Sequence, residues 1–280
     1  MLQTARGSFV LSVRTLSRAV LVCSGIGALI LAAGFFLQST WATNLWPLPA
    51  SRLSNIFIAS ILAAEAAPVI WIGLAGELGA IPGGAINLTV TYAAIAILAL
   101  RISLRSPTDT HIAYFGVVSA VLAGVSLIIL AGTRRIPLQD TRATPWPVRI
   151  SFALFALILL LVGASLALER PNIFPWQLSA ETSEIYGWIF LGAMCYFAYA
   201  LAHPRWGNAC GQLLGFLLYD LVLIEPYLKH FQTVKPQLRL NLILYTAVII
   251  YSGLLAIYYV FINRKTRTNL FRISGARRRV

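Results

Sequence analysis

Apolar residues fall into eight runs along the chain, each long enough to cross a lipid bilayer. The runs cover approximately residues 19–38, 53–74, 86–103, 112–132, 150–168, 184–202, 208–226 and 241–262. A helix needs about 20 mostly apolar residues to cross the hydrocarbon core, and a run of about 18 already predicts a span. Because the runs are continuous, they favour helices over the alternating strands of a membrane barrel. The pattern therefore predicts an all-α, polytopic membrane protein with about eight transmembrane helices.

The third and seventh runs are the weakest of the eight. The seventh contains Asp220 and Glu225 and ends at Pro226. Charged side chains are costly in hydrocarbon, so we expect this segment to span only where neighbouring helices shelter its acids.

The runs divide into two sets of four with matching landmarks. Trp46 and Trp176 each follow the first run of their set and lie 130 residues apart. Units of four spans keep the same orientation, so the two sets predict tandem parallel repeats related by a pseudo-twofold axis along the membrane normal. The expected units are a basic N-terminus (1–18), a first repeat (19–132), a basic linker (133–149), a second repeat (150–262) and a basic tail (263–280).

The distribution of basic residues predicts the orientation. With eight spans both termini share one side, and 15 of the 22 Lys and Arg residues fall on that side. Short basic loops are retained in the cytoplasm. We therefore expect a multi-pass protein of the cell membrane with both termini cytoplasmic.

Composition supports the membrane class and explains the net charge. The chain is 59% hydrophobic and 11% charged, with a net charge of +13, whereas soluble domains carry about 25% charged residues. The basic excess flanks the spans and fills the tail, so it indicates topology control and contact with the lipid bilayer rather than nucleic-acid binding. The tail is also expected to attract anionic lipid headgroups.

Three local patterns predict structural details. The glycines from Gly73 to Gly84 predict a flexible turn between the second and third spans. Gly116, Ala120 and Gly124, one every fourth residue, predict a helix-packing stripe. The tryptophans that follow the first run of each set predict anchors at the membrane–water interface, with a substrate platform as the alternative.

Glu65 is the most informative candidate for function. It lies about 12 residues into the second span, near the expected bilayer midplane, and Pro68 follows within one turn. Ionisable groups at this depth are expensive unless they are paired or hydrated, and they commonly mark functional sites. Pro68 cannot donate to the carbonyl of Ala64, which leaves an acceptor beside the carboxylate. The pair predicts a site for a proton or a small cation; the alternative is a protonated Glu65 hydrogen-bonded to a neighbouring helix.

Asp220 lies at a comparable depth in the seventh span, beside Tyr219. If the second and seventh spans face each other between the repeats, Glu65 and Asp220 can share one proton or cation. Each acid has an apolar residue at the matching position of the other repeat, so we expect the function to be asymmetric.

Acidic and histidine residues also collect on the predicted outer side. They are Asp109, His111, Glu169, Glu181, Glu184, Glu225 and His230. Such residues can bind a divalent metal, but their spacing matches no metal or catalytic motif, and a solvated loop surface is the favoured interpretation. The sequence indicates no metal, no cofactor and no catalytic residue.

Three functions from different classes follow. The favoured hypothesis is binding or transport of a small solute, cation or proton between the two repeats, without enzymatic activity. The second is a non-catalytic subunit or assembly factor with membrane protein partners. The third is a lipid-modifying enzyme that uses the outer carboxylates.

Overall fold

The computed structural model describes residues 2–105 and 110–267, with side chains from Arg14 onward. Asp109 and the tail residues after Arg267 lie outside the described residues. The helices are α1 (Leu2–Phe36), α2 (Thr40–Thr43), α3 (Arg52–Ala75), α4 (Ile81–Arg105), α5 (Thr110–Thr133), α6 (Trp146–Ala167), α7 (Ala180–Ala202), α8 (Trp206–His230) and α9 (Arg239–Ile257). Short 3₁₀ turns, Leu78–Ala80 and Pro236–Leu238, precede α4 and α9, and a π turn, Tyr258–Ile262, follows α9.

The predicted class is confirmed. Eight helices are long and apolar enough to cross a membrane, namely all except the four-residue α2. Within the described residues no strand forms, and two segments meet only in an isolated bridge between Ala143 and Arg205. The protein is therefore an all-α, multi-pass membrane protein.

The predicted flexible turn from Gly73 to Gly84 is wrong over most of its length. Gly73 lies inside α3, and α4 begins at Ile81 and already includes Gly83 and Gly84. Pro82 is compatible with the first turn of a helix, where its missing N–H has no partner to lose. Only Gly76 needs a left-handed backbone, with φ of 74°, and it ends α3 by donating to the carbonyl of Ile72.

Local capping fixes where two of the spans begin. The Ser51 hydroxyl accepts from the backbone N–H of Ser54 at the start of α3, and Ser179 accepts from Thr182 at the start of α7. Serine is a favoured N-cap because its side chain satisfies an N–H group that the first turn leaves free. The second span of each predicted repeat therefore begins with the same capping contact.

The spans pair in a regular way. Within the first four, α1 packs on α3 and α4 packs on α5; within the last four, α6 packs on α7 and α8 packs on α9. Between the two sets, α3 contacts α8 and α4 contacts α7. The most buried spans are α3, α8 and α7, whereas α5 is the most exposed. The centre of the bundle is therefore formed by α3, α4, α7 and α8, two from each set. The duplication itself stays a prediction.

Glycines on α8 allow its close contact with α3. A methyl group added at Gly215 would lie 2.7 Å from the Ala64 carbonyl oxygen, and one at Gly211 would lie 3.2 Å from Cβ of Pro68. Gly207, two turns before Gly215, faces Leu138 and Asp140 of the segment before α6 instead. Small residues at this spacing let helix backbones approach within a membrane.

The stripe predicted on α5 is correct at one position only. Gly116 packs against Ala99 of α4, but Ala120 and Gly124 are exposed. The buried positions of α5 instead include Ile112, Gly116 and Ser119. Spacing in a lipid-facing helix does not reveal which of its small residues meets a partner, since lipid and protein interior are both apolar.

One end of the bundle, here called the linker face, is closed by residues 134–145. The backbone of this segment pairs with the start of α8: Trp206 donates to the carbonyl of Arg142 at 2.7 Å, and Gly207 to that of Asp140 at 3.2 Å. The Arg142 guanidinium also donates to the Lys265 carbonyl at 2.8 Å. The linker therefore joins the second set of spans to the residues that follow α9.

The other end, here called the opposite face, contains an aromatic cluster. The connector after α6 places Phe174 and Trp176 inside the bundle, and Trp176 donates to the Ser54 hydroxyl at 3.1 Å. Trp176 packs on Phe57 of α3, with ring centroids 6.1 Å apart. The prediction of an interfacial anchor is therefore wrong for Trp176, which is only 8% exposed. The hydrogen bond from Trp176 to Ser54 holds the ring in the core.

Trp46, its counterpart in the first set, packs on Tyr186 of α7 at 6.3 Å. Each connector thus reaches the second span of the other set. Trp41 remains 54% exposed, as an interfacial anchor requires.

Candidate functional site

Glu65 lies in the middle of α3, the most buried of the eight spans. Its neighbours in the chain fix the surroundings. The Ala64 carbonyl faces Gly215 of α8, and the Ala66 carbonyl faces Gly25 of α1. From α4, Tyr92 is close enough to interact electrostatically with the Glu65 carboxylate. The acid therefore lies where a span of the first set meets spans of both sets.

The Glu65 carboxylate has no protein partner among the residues that the structure describes. It makes neither a hydrogen bond nor an ion pair with them, and the residue is only partly buried. Its oxygens are not among the fully buried polar atoms without a partner, so a ligand can reach them. An acid of this kind has coordination capacity left for a ligand.

The Ala64 carbonyl has a different environment from the one predicted. Pro68 deprives it of its helical donor, but its oxygen lies against the backbone of α8 at Gly215. The free acceptor therefore points at the contact between α3 and α8. Its role in binding an ion stays a prediction.

Asp220 is almost fully buried and faces α9. Its side chain is 5% exposed, and its Oδ2 lies 2.9 Å from the Ser252 hydroxyl. A methyl group added at Gly253 would lie 3.3 Å from the same oxygen. Its Oδ1 is also buried and has no partner within the described part of the chain.

The two acids occupy separate environments. No hydrogen bond or ion pair joins Glu65 to Asp220 in the described residues, and neither is an electrostatic neighbour of the other. Tyr219, next to Asp220, points instead toward the aromatic cluster, with its ring 6.1 Å from that of Phe57. The structure therefore brings α3 and α8 together, as expected, without bringing their acids together.

Three polar residues of α4 are missing from the predicted site. Tyr92 lies within electrostatic range of Glu65, and Thr91 donates to the side-chain oxygen of Asn87 at 3.3 Å. A methyl group added at Gly192 of α7 would lie 2.6 Å from that Asn87 oxygen. The Thr91 hydroxyl also lies 3.5 Å from the Trp188 carbonyl, so these polar residues lie at the contact between α4 and α7. The hydrogen bond between Asn87 and Thr91 could have been predicted from the sequence, because the two residues are four positions apart and so share one helix face.

The acids of the opposite face are dispersed. Glu184 pairs with Arg101 of α4, and Glu225 pairs with Lys229 one turn later. The His230 ring lies 3.0 Å from the Pro175 carbonyl. Among the described residues, no three His, Cys, Asp or Glu side chains group closely enough to hold a metal ion.

A cavity of about 410 Å³ opens on this face beside the connector after α6. Its polar lining includes Glu169, Arg170 and Gln177, and its apolar wall includes Trp176. The cavity contacts neither Glu65 nor Asp220, so it is separate from both acids.

Glu77, on the linker face, is a buried acid that the predicted site does not contain. It is 4% exposed, and its two oxygens accept from the backbone N–H groups of Gln139 at 2.6 Å and Asp140 at 3.0 Å. Burial raises the pKa of Glu77 above its ordinary value, although the two backbone donors act in the opposite direction. The hydrogen-bond partners of Glu77 lie more than 60 residues away in the chain, so no local sequence pattern predicts them.

Comparison with protein family models, with curated proteins and with solved structures gave no match to this chain. The proposed function therefore rests on the structure of the chain itself.

Proposed function

We propose that this membrane protein binds and transports a small cation or a proton at a site in the centre of the bundle, with Glu65 as the principal ligand. The observation that carries the proposal is the Glu65 carboxylate, which lies in mid-span and lacks a partner among the described residues. Acids at this depth that face a bundle interior commonly belong to ion or substrate pathways.

The arrangement of the central spans supports the same function. The centre combines α3 and α4 with α7 and α8, and the contacts between the sets are α3 with α8 and α4 with α7. This reciprocal pairing is what a twofold relation between two repeats would produce. Transporters built from repeats commonly hold their substrate near the midplane, where the repeats meet.

The chemistry near Glu65 suits a cation or a proton. The Tyr92 hydroxyl of α4, a neutral group that can donate or accept, lies within electrostatic range of the carboxylate. Carboxylate and hydroxyl oxygens are ligands that small hard cations prefer. A bound cation or proton would also supply the neutralisation that a carboxylate in hydrocarbon requires.

Flux through proteoliposomes tests the proposal. Vesicles containing the purified protein would be assayed with a trapped pH-sensitive dye for protons and with radioactive sodium, rubidium and methylammonium for cations. We expect one of these probes to move in the wild type and its flux to fall at least about tenfold in Glu65→Gln, which keeps the size of the side chain but removes its charge.

Glu225→Gln is the matched control, because it makes the same change at an exposed acid of the opposite face. It should leave the flux unchanged. Equal fluxes in the wild type and Glu65→Gln, for every probe, would contradict the proposal. In that case the hypothesis of a non-catalytic subunit becomes the better explanation.

A further inference from the structure

Asp220 and Ser252 form a small polar site inside an apolar contact between α8 and α9. The carboxylate Oδ2 and the serine hydroxyl are 2.9 Å apart. The same hydroxyl lies 2.7 Å from the Val248 carbonyl and 3.2 Å from that of Ile249. Ser252 is itself 1% exposed. The site is therefore closed to bulk water.

The single hydroxyl hydrogen of Ser252 limits which hydrogen bonds this site can form. A serine hydroxyl has one hydrogen to donate and can also accept. Three oxygens surround the Ser252 hydroxyl, and the nearest of them is the Val248 carbonyl. If the hydroxyl donates to Val248, it must accept from Asp220, and only a protonated carboxyl group has a hydrogen to give.

The ionised form of Asp220 fits the site poorly. Its Oδ1 is buried without a donor among the described residues, so the single Ser252 hydroxyl would have to stabilise the whole negative charge, and a buried carboxylate with so little compensation is strongly disfavoured. From α9 the acid meets Ser252 and Gly253, and its titratable neighbour on α8 is Tyr219. None of these groups carries a positive charge.

We propose that Asp220 is a proton-binding site separate from the Glu65 site, and that in this conformation its carboxyl group is protonated and donates to the Ser252 hydroxyl. Protonation removes the buried charge and lets the Ser252 hydroxyl accept from Asp220 while it donates to the nearer Val248 carbonyl. Loss of the proton leaves a negative charge between α8 and α9 and weakens their contact. The inference goes beyond the proposed function, because it assigns a proton to a second acid that lies apart from the Glu65 site.

Infrared spectroscopy of the reconstituted protein tests this site directly. The chain contains three aspartates, Asp109, Asp140 and Asp220, so aspartate labelled with ¹³C at the carboxyl carbon restricts the signal to them. At neutral pH we expect a C=O band of a protonated carboxyl group that shifts on labelling. The band should be lost in Asp220→Asn and retained in Glu65→Gln.

Asp220→Asn is expected to fold, because its amide can donate to Ser252 as the protonated acid does. Ser252→Ala supplies a second test that does not depend on that variant: the labelled band should persist but shift toward the position of a carboxyl group without a hydrogen-bond acceptor. A wild-type spectrum with no labelled protonated band at neutral pH would overturn the inference. So would a labelled band that Ser252→Ala leaves at its wild-type position.

The infrared test of Asp220 and the flux test of Glu65 can fail independently of each other. A Glu65→Gln variant with normal flux removes the proposed transport site and leaves the Asp220 band as predicted. An ionised Asp220 removes the proton site and leaves the effect of Glu65 on flux as predicted.

Discussion

Glu65 and Glu77 are two glutamates on one stretch of chain, one inside α3 and the other just beyond it. Glu77 is 4% exposed and both its oxygens accept backbone hydrogen bonds. Glu65 is partly accessible and makes no hydrogen bond among the described residues. Burial alone therefore does not decide whether an acid has capacity left for a ligand. A satisfied carboxylate holds the fold together, whereas an unsatisfied one has capacity for a ligand.

Removal of the Glu77 side chain should have the largest effect on stability. Glu77→Ala leaves the N–H groups of Gln139 and Asp140 without their acceptor, and each unsatisfied buried group costs about 1–3 kcal/mol. We expect a loss of about 2–5 kcal/mol, measured by denaturant or thermal unfolding in detergent.

Glu225→Ala is the control, since an exposed ion pair contributes only about 0–1 kcal/mol. If Glu77→Ala and Glu225→Ala destabilise the protein equally, the structural role assigned to Glu77 is wrong.

A methyl group in the contact between α3 and α8 should have the next largest effect. In Gly215→Ala the new carbon would lie 2.7 Å from the Ala64 carbonyl oxygen, and overpacking of this kind costs about 1–3 kcal/mol. Because this contact positions α3, flux through the Glu65 site should fall as well. Melting temperature and flux are the two measurements.

Gly84→Ala makes the same change where no atom lies within 4 Å. It should stabilise the protein by up to about 1 kcal/mol, since alanine is the better helix former. Equal effects at Gly84 and Gly215 would show that helix propensity, and not the close contact, determines the outcome.

The pH dependence of stability should show the smallest of these effects. It compares Glu77 with a glutamine at the same position, which does not titrate. Burial raises the pKa of Glu77 above 4.5 in the folded protein. The folded state then binds the proton more tightly than the unfolded state does. The stabilising contribution is complete below the unfolded pKa and is lost as pH rises through the folded pKa. The melting temperature of the wild type relative to Glu77→Gln should therefore fall across that window and stay constant above it. A difference that rises with pH would indicate that the backbone donors outweigh burial.

The eight spans could be predicted from the sequence because length and apolar composition suffice to define a membrane helix. The mid-span position of Glu65 could be predicted as well, since an acid at mid-span stands out against apolar neighbours. The direction of Asp220 could not be predicted, because it depends on the rotation of α8 and its partner Ser252 lies 32 residues away in the chain. The hydrogen bonds from the linker to Glu77 could not be predicted either, because donor and acceptor are far apart in the chain. The pair Gly211 and Gly215 was readable from its spacing and identifies the face of α8 that meets α3.

Chemical labelling of the acids in native membranes tests the difference between Glu65 and the other buried acids most directly. An apolar carbodiimide reacts with carboxyl groups that it can reach within the membrane, and mass spectrometry of the digested protein identifies the modified residue. We expect modification at Glu65, none at Glu77 or Asp220, and protection of Glu65 by the cation that the protein is proposed to transport. Modification of Glu77 with Glu65 left intact would contradict this expectation.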